Sequence, residues 1–146
     1  LAPAADMRWS ESAMDESFFY SNMSPQLPAF NRGIWKKLEE QVRDWALAMD
    51  SILIVTGPIL TESSPTIGVN KVSVPKYYYK AILDFKGTHS KAIAFVMPNQ
   101  GSKEPLMNFA ISIDALEKLT GINFFYQLDD SLEQDIEAKA CQTCWP

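Results

Sequence analysis

Two asparagines, a tryptophan and a glutamate in the first third of the chain have a spacing that a helix can convert into a metal site. Asn22 precedes the helix region. If a helix opens at Asn31, each step of four residues advances about 40° around the helix axis and about 6 Å along it. Residues at this step form one slowly drifting stripe: Asn31, Trp35, Glu39 and Arg43. Amide and carboxylate oxygens suit hard cations such as Mg²⁺, so the stripe is a candidate cation site.

An apolar stripe lies beside this polar one, and its members are Ile34, Leu38, Val42, Trp45 and Met49. Apolar residues at this spacing predict an amphipathic helix over about 31–49, with one face buried. The polar stripe then lies at the edge of the core, where a cation could reach it from solvent.

Each of these side chains also has an ordinary structural interpretation. Asn31 could cap the amino terminus of the helix, where asparagine is favoured. Glu39 and Arg43 could form a surface ion pair four residues apart, and Asn22 could close an Asx turn. For Trp35, packing in the core is favoured over stacking against a nucleic-acid base.

The composition is that of a single folded domain. The 146 residues include 47% hydrophobic and 12% aromatic residues, which is ample for a packed core. No apolar run approaches the ~20 residues of a membrane helix, so no membrane partner is expected. The net charge of −5 counts against nucleic-acid binding, since phosphate contacts need Lys and Arg. A cation at a cleft would supply positive charge locally.

The remaining pattern mixes strands and helices without regular alternation, which predicts an α+β fold with a largely antiparallel sheet. Strands are predicted at 51–56, where Gly57 and Pro58 end the strand, at 77–85 and at 91–97. Short helices are predicted at 11–16 after a Ser10 cap, between Ser112 and Gly121, and at 131–140 with Ser131 and Gln134 as a capping box.

For the remaining segments the sequence predicts only whether the side chains are buried or exposed. The aromatic run 18–20 is expected to be buried, and 61–70 is predicted to be a polar loop. Five lysines are interpreted as scattered surface residues: Lys71, Lys76, Lys80, Lys86 and Lys91. The sole histidine, His89, lies in a polar turn and is interpreted as solvated rather than catalytic.

Two cysteines, Cys141 and Cys144, lie near the end of the chain. A Cys-x-x-Cys pair provides only two of the four ligands of a structural zinc site. A local or interchain disulfide, free thiols, and a metal or redox role remain open alternatives.

Several motifs follow one another along the chain in an ordered series. Ser21-Asn22-x-x-Pro25-Gln26 precedes Asn31-x-Gly33-x-Trp35-x-x-Leu38-Glu39. Later segments are Val55-Thr56-Gly57-Pro58, Val74-Pro75-x-x-Tyr78-Tyr79-Lys80, Ala94-Phe95-Val96-Met97-Pro98-Asn99 and Leu119-Thr120-Gly121-x-x-Phe124-Phe125. Together they resemble the DNA/RNA non-specific endonucleases, the group that includes endonuclease G, within the ββα-metal, or His-Me finger, nucleases.

The resemblance implies a ββα-metal fold and a role for each polar residue. Asn31 would be the direct metal ligand, and Glu39 would orient metal-bound water. Asn22 would support the site from the neighbouring segment, and Arg43 would steer or hold phosphate. The implied cofactor is Mg²⁺, with Mn²⁺ fitting the same oxygen site, and the implied partners are DNA and RNA.

The family's Asp-Arg-Gly-His signature is followed directly by a segment like 1–6, so its general-base histidine would stand just before Leu1. We therefore expect residues 1–146 to be the C-terminal portion of a single nuclease domain, inactive alone. Without the upstream strands, the long helix should expose an apolar face and strand edges should be unpaired. A homodimer, or association with the missing segment, would cover them.

The alternative is a non-catalytic module that keeps a nuclease-derived fold and binds a partner or nucleic acid without cutting. The acidic charge and the absent histidine favour it, whereas the retained Asn31 and Glu39 oppose it. Export to the periplasm or the medium is the expected localisation of the nuclease, and a mitochondrial compartment is the alternative.

Overall fold

The fold consists of a four-stranded antiparallel sheet with helices on both faces. The structure is a computed structural model, and it describes residues 1–146 except the side chain of Thr88. The helices are α1 (Glu11–Glu16), α2 (Lys36–Met49), α3 (Ile113–Thr120) and α4 (Asp130–Glu137). The strands are β1 (Leu53–Ile59), β2 (Thr66–Ile67), β3 (Val72–Ser73), β4 (Tyr77–Asp84), β5 (Lys91–Pro98) and β6 (Ala110–Ile111). The strand order is β1-β4-β5-β6, while β2 and β3 form a separate hairpin. The predicted α+β class with an antiparallel sheet is confirmed.

Side chains of β4 alternate between two cores, as the period of two in a strand requires. Tyr78 and Ile82 point to the face covered by α2. Tyr79 and Leu83 point to the opposite face, where α3 and α4 pack. Lys80 is two residues from both Tyr78 and Ile82, so its side chain points to the same face of the sheet, under the helix that carries the candidate residues.

The apolar stripe of α2 is buried against this chain's own sheet. Leu38, Val42 and Trp45 pack in one cluster with Ile82 and Phe95 of the central strands. The expected exposure of this helix face is therefore wrong, because β4 and β5 supply the cover. At the edge of the sheet the expectation holds: β1 exposes the apolar side chains of residues 53–55. Dimerisation stays a prediction.

The helix itself differs from the predicted continuous segment 31–49. A π-helical turn spans Phe30–Trp35, and α2 begins only at Lys36. Gly33 has φ −105° and ψ −111°, outside the helical region, so the axis kinks there. π-Helical turns of this kind occur frequently at functional sites. The kink re-aims Asn31 relative to the four-residue stripe that begins at Trp35.

The predicted helix ends and the state of the two cysteines can be compared with the structure, and not all of these predictions are confirmed. Ser10 Oγ accepts a hydrogen bond from the Ala13 N–H at 3.0 Å and caps α1, and Gly121 ends α3 with φ +70°. The predicted Ser131 capping box is wrong, because α4 begins at Asp130 with Asp129 as its N-cap. Cys141 and Cys144 form a local disulfide.

Three further expectations fail for reasons of tertiary structure. The strand predicted to end at Gly57 and Pro58 continues through both to Ile59, because an edge strand tolerates a proline without losing a ladder hydrogen bond. The predicted loop 61–70 contains the short strand β2. The aromatic run is exposed rather than buried, with Phe18, Phe19 and Tyr20 retaining 59, 61 and 96% of their accessible surface.

Among the helices that the structure describes, none combines the length and the apolar character that crossing a lipid bilayer requires.

Candidate active site in the cleft beside helix α2

An open cleft of about 860 Å³ lies between the first residues of the chain, the loop 22–26 and the start of α2. All four side chains singled out in the sequence line it: Asn22, Asn31, Glu39 and Arg43. The fold thus brings together residues that are up to 21 positions apart (43 − 22). The stripe of the sequence analysis and its neighbouring loop share one surface.

Asn22 fastens the first segment of the chain to the cleft wall. Its Oδ1 accepts a hydrogen bond from the Ala2 N–H at 2.7 Å. Its Nδ2 donates to the carbonyl oxygens of Ala2 and Ser17, both at 2.8 Å. These contacts reach 20 residues along the chain, so an Asx turn is not their main role. The amide positions the wall of the cleft.

Asn31 lies inside the helical turn rather than at its cap. The backbone N–H groups of Phe30 and Asn31 both donate to the carbonyl oxygen of Leu27, so the turn has begun before Asn31. The Asn31 Nδ2 donates to Gln26 Oε1. This contact orients the side-chain amide of Asn31, and the side-chain oxygen Oδ1 is the atom that remains for a ligand.

Glu39 is partly buried on the next turns of the helix. Burial raises the pKa of its carboxyl group above the ordinary value. The charges of Lys80 and Arg43 oppose this shift, and so does a hydrogen bond from Trp35. A bound cation near Glu39 would act in the same direction as these positive groups and favour the ionised carboxylate.

Arg43 pairs with Asp6 rather than with Glu39. The Arg43 Nε donates to Asp6 Oδ1, and both side chains are 33% exposed. The interpretation of Glu39 and Arg43 as an i,i+4 surface pair is therefore replaced by a long-range bond to the first segment. Other guanidinium N–H groups remain for an anion, since arginine carries five donors.

Lys80 is the charged residue that the sequence analysis misassigned. It is 2% exposed, and its Nζ donates to Thr56 Oγ1 at 2.8 Å. The ammonium lies 5.1 Å from the centre of the Trp35 ring. Burial lowers the pKa of Lys80 to about 8, against the opposing charge of Glu39. The sequence signal that could have revealed its burial is its position inside an otherwise apolar strand, two residues from both Tyr78 and Ile82.

Buried neighbours hold the floor of the cleft. Trp35 packs against Phe30 and Tyr78 at ring distances of 5.2 and 5.8 Å, as favoured in the sequence analysis. The Tyr78 hydroxyl donates to the Pro25 carbonyl at 2.8 Å. Asn99 is buried and accepts from the Leu27 N–H at 2.8 Å. These bonds fix the loop that carries Gln26.

A second group of carboxylates lies on the other face of the sheet and was not singled out in the sequence. Asp114, Glu117 and Glu137 each offer an oxygen within 4.8 Å of the others, a grouping that could hold a metal ion. Burial, together with the neighbouring acidic groups, raises the pKa of Glu137 to about 8.

Comparison with known proteins places the chain in a nuclease family. The sequence model of the DNA/RNA non-specific endonuclease family matches residues 1–131. A nuclease of Syncephalastrum racemosum is 36% identical over 162 aligned positions, which cover 97% of this chain and 51% of that protein. Nuclease C1 of Cunninghamella echinulata var. echinulata is 36% identical, with 99 and 62% covered. Mitochondrial endonuclease G of Homo sapiens is 35% identical, with 85 and 46% covered.

The fold comparison points the same way. The crystal structure of the EndoG/EndoGI complex, described as revealing the mechanism of EndoG inhibition, matches with a TM-score of 0.79 and 32% sequence identity. The match covers 88% of this chain and 58% of that chain. The expected ββα-metal nuclease fold is thereby confirmed. The chain spans between about half and three-fifths of the length of these curated relatives, and it belongs to the DNA/RNA non-specific endonuclease family.

Proposed function

We propose that the cleft is the cation- and phosphate-binding part of an endonuclease site that hydrolyses phosphodiester bonds in both DNA and RNA. The observation that carries this proposal is the convergence of Asn22, Asn31, Glu39 and Arg43 on one open cleft, in a chain of this nuclease family. The buried Lys80 beneath the cleft adds positive charge where the overall charge of −5 would otherwise repel phosphate.

The donors of the cleft fit a hard divalent cation. The Asn31 carbonyl and the Glu39 carboxylate are oxygen donors, and Mg²⁺ is commonly bound by one or two such groups together with waters and phosphate oxygens. We propose Mg²⁺, with Mn²⁺ as a substitute. When bound, the cation would polarise the phosphate and stabilise the leaving oxygen.

The protein side chains then divide the remaining work. The Asn31 carbonyl, oriented by Gln26, would hold the cation, and Glu39 would accept a hydrogen bond from a water molecule beside it. Arg43 would hold a phosphate oxygen through the donors that Asp6 leaves available. Asn22 would act indirectly, as a positioning residue that fixes the Ala2 backbone.

A general base is still required to take the proton of the attacking water. In the family pattern this histidine precedes a segment like 1–6. The Leu1 amino nitrogen lies 2.8 Å from the Thr56 carbonyl oxygen and lines the cleft wall. A residue joined to this nitrogen would lie beside the cleft. We propose that the full-length protein carries the histidine there, and that residues 1–146 alone do not cut.

The test compares the full-length protein with chain 1–146 on plasmid DNA and on single-stranded RNA, with Mg²⁺, Mn²⁺ or EDTA. We expect the full-length protein to cut both substrates, EDTA to stop it, and chain 1–146 to leave them intact. Cutting by chain 1–146 would contradict the need for an upstream base. No cutting by the full-length protein would contradict the nuclease proposal.

A binding module without catalysis is the second candidate, and the net charge of −5 favours it because such a charge repels a polyanion. Retention of DNA in a gel-shift experiment, without product in the cutting assay, would support this candidate. Binding of a protein ligand alone, with no affinity for either nucleic acid, would point to a protein-recognition module.

For localisation we propose either export or a mitochondrial compartment. The mitochondrial names of several relatives support the second alternative. Fractionation of the source cells, followed by detection of the full-length protein, separates the two.

A further inference from the structure

Three carboxylates meet where α3 and α4 come together, on the face of the sheet opposite to α2. Asp114 and Glu117 are three residues apart on α3, a spacing that puts them on one face of the helix. Glu137 is the last residue of α4. One oxygen of each carboxylate lies within 4.8 Å of the others. The group is separate from the nuclease cleft.

Glu137 is the member that calls for an explanation. It is 2% exposed, and its Oε1 is buried with no hydrogen-bond partner. An unsatisfied buried polar atom in a native protein is uncommon, and a bound water or ion is one explanation for it. Among the side chains that the structure describes, no lysine or arginine forms a salt bridge with any of the three carboxylates.

Glu117 is already oriented for a shared ligand. Its Oε1 accepts a hydrogen bond from the Phe124 N–H at 2.7 Å. This bond anchors the carboxylate to the loop between α3 and α4, and the second oxygen remains for another contact. Three carboxylates from two helices therefore each place an oxygen within 4.8 Å of the others.

We propose that Asp114, Glu117 and Glu137 form a Ca²⁺ site that ties α3 to α4. Carboxylate oxygens within 4.8 Å of one another can share one cation, and an irregular set of oxygen donors suits Ca²⁺, which binds oxygen at about 2.3–2.6 Å, better than Mg²⁺, which requires near-ideal octahedral geometry at about 2.0–2.1 Å. Three carboxylates without a histidine or cysteine are also the wrong donors for a structural zinc ion. The bound ion neutralises the buried Glu137 and stabilises the helix pair.

The test titrates Ca²⁺ into the metal-free chain by calorimetry, in an Asn31→Ala background that removes the ligand proposed for the cleft. We expect one saturable Ca²⁺ site, weaker binding of Mg²⁺, and a rise in melting temperature with Ca²⁺. Asp114→Asn and Glu137→Gln should each weaken Ca²⁺ binding at least tenfold. Asp135→Asn, an exposed charge change on the same helix, should leave it unaltered.

The absence of saturable Ca²⁺ binding, or equal affinity in Asp114→Asn and the Asn31→Ala parent, would overturn the proposal. Tighter binding of Mg²⁺ than of Ca²⁺ would overturn the choice of ion. If Glu137→Gln does not fold, Asp114→Asn decides, because Asp114 is only partly buried. The nuclease proposal is independent, since DNA cutting by the full-length protein is measured with Mg²⁺ and the cleft intact.

Discussion

The two faces of the sheet differ in how their charged side chains are paired. On the α2 face, positive and negative groups accompany one another: Arg43 pairs with Asp6, and Asp84 pairs with Lys91 at 3.8 Å. The buried Lys80 is also opposed by the charge of Glu39. On the α3–α4 face, the charged groups that act on Glu137 are all acidic, namely Glu117, Glu133 and Asp114. Ion pairs therefore offset carboxylates on the first face, whereas among the described side chains no lysine or arginine pairs with the carboxylates of the second.

The difference teaches how each face can be used. The cleft is lined by charged residues from segments far apart in sequence, such as Arg8 and Arg43, and it is open to solvent. It can therefore exchange a substrate without losing its own structure. The carboxylate group on the other face is small and includes a closed-off member, which suits a resident ion rather than a substrate.

The largest expected effect is on packing, and it tests whether the two cores contribute equally. Trp45→Ala on the α2 face should lower the free energy of unfolding by about 3–5 kcal/mol, because a fully buried ring leaves a cavity. Leu116→Ala on the other face should cost about 2–5 kcal/mol. Urea unfolding measures both, with the exposed Leu47→Ala as control. A loss under 1 kcal/mol at either site would contradict a tightly packed core on that face.

A smaller effect concerns the loop that supports the cleft. Asn99→Ala removes the acceptor of the Leu27 N–H and the donor to the Pro75 carbonyl, which is 3.0 Å from the Asn99 Nδ2. Leaving these groups unpaired should cost about 1–3 kcal/mol of unfolding free energy. The exposed Asn108→Ala is the matched control and should change stability by under about 0.5 kcal/mol. Equal stability of the two variants in urea would show that the loop is held by other contacts.

A third effect is a pH dependence on the α2 face. The pKa of Lys80 is about 8 in the folded chain and 10.5 as its ordinary value. Between these values the unfolded chain binds more protons than the folded chain, so this residue makes stability rise as the pH increases from 8 to 10.5. Lys80→Met should remove that rise.

Urea unfolding of both proteins at pH 7, 8, 9 and 10 tests the Lys80 prediction, because the difference between them isolates this residue from other titrating groups. Parallel curves over the whole range would mean that burial does not lower the pKa of Lys80 in the folded chain.

Local periodicity explains what the sequence could predict. The apolar stripe ending at Trp45 and Met49 identified α2, and the apolar runs around Ile82 and Ile93 identified the two central strands. Ser10 and Gly121 marked helix ends because capping depends on neighbouring residues. Four residues that line the cleft, Asn22, Asn31, Glu39 and Arg43, were also singled out, through motifs of fixed spacing.

What failed depends on contacts distant in sequence. The sequence around Lys80 is compatible with a surface lysine, and only the folded chain shows its contacts with Thr56 and Trp35. The exposure of the aromatic run 18–20 and the extension of β1 through Pro58 depend on which surfaces remain uncovered and which strand lies at an edge. The kink at Gly33 is local, yet glycine permits many conformations and so does not predict one.

The central claim is that the cleft beside α2 holds the cation of a nuclease, and Asn31 is its most direct test. In the full-length protein, Asn31→Ala should lower kcat/KM on plasmid DNA at least about 100-fold, the upper end for groups that only orient a metal ligand. Asp44→Asn, an exposed change one position beyond Arg43, should keep the parent activity. Full Mg²⁺-dependent activity in Asn31→Ala would contradict the account.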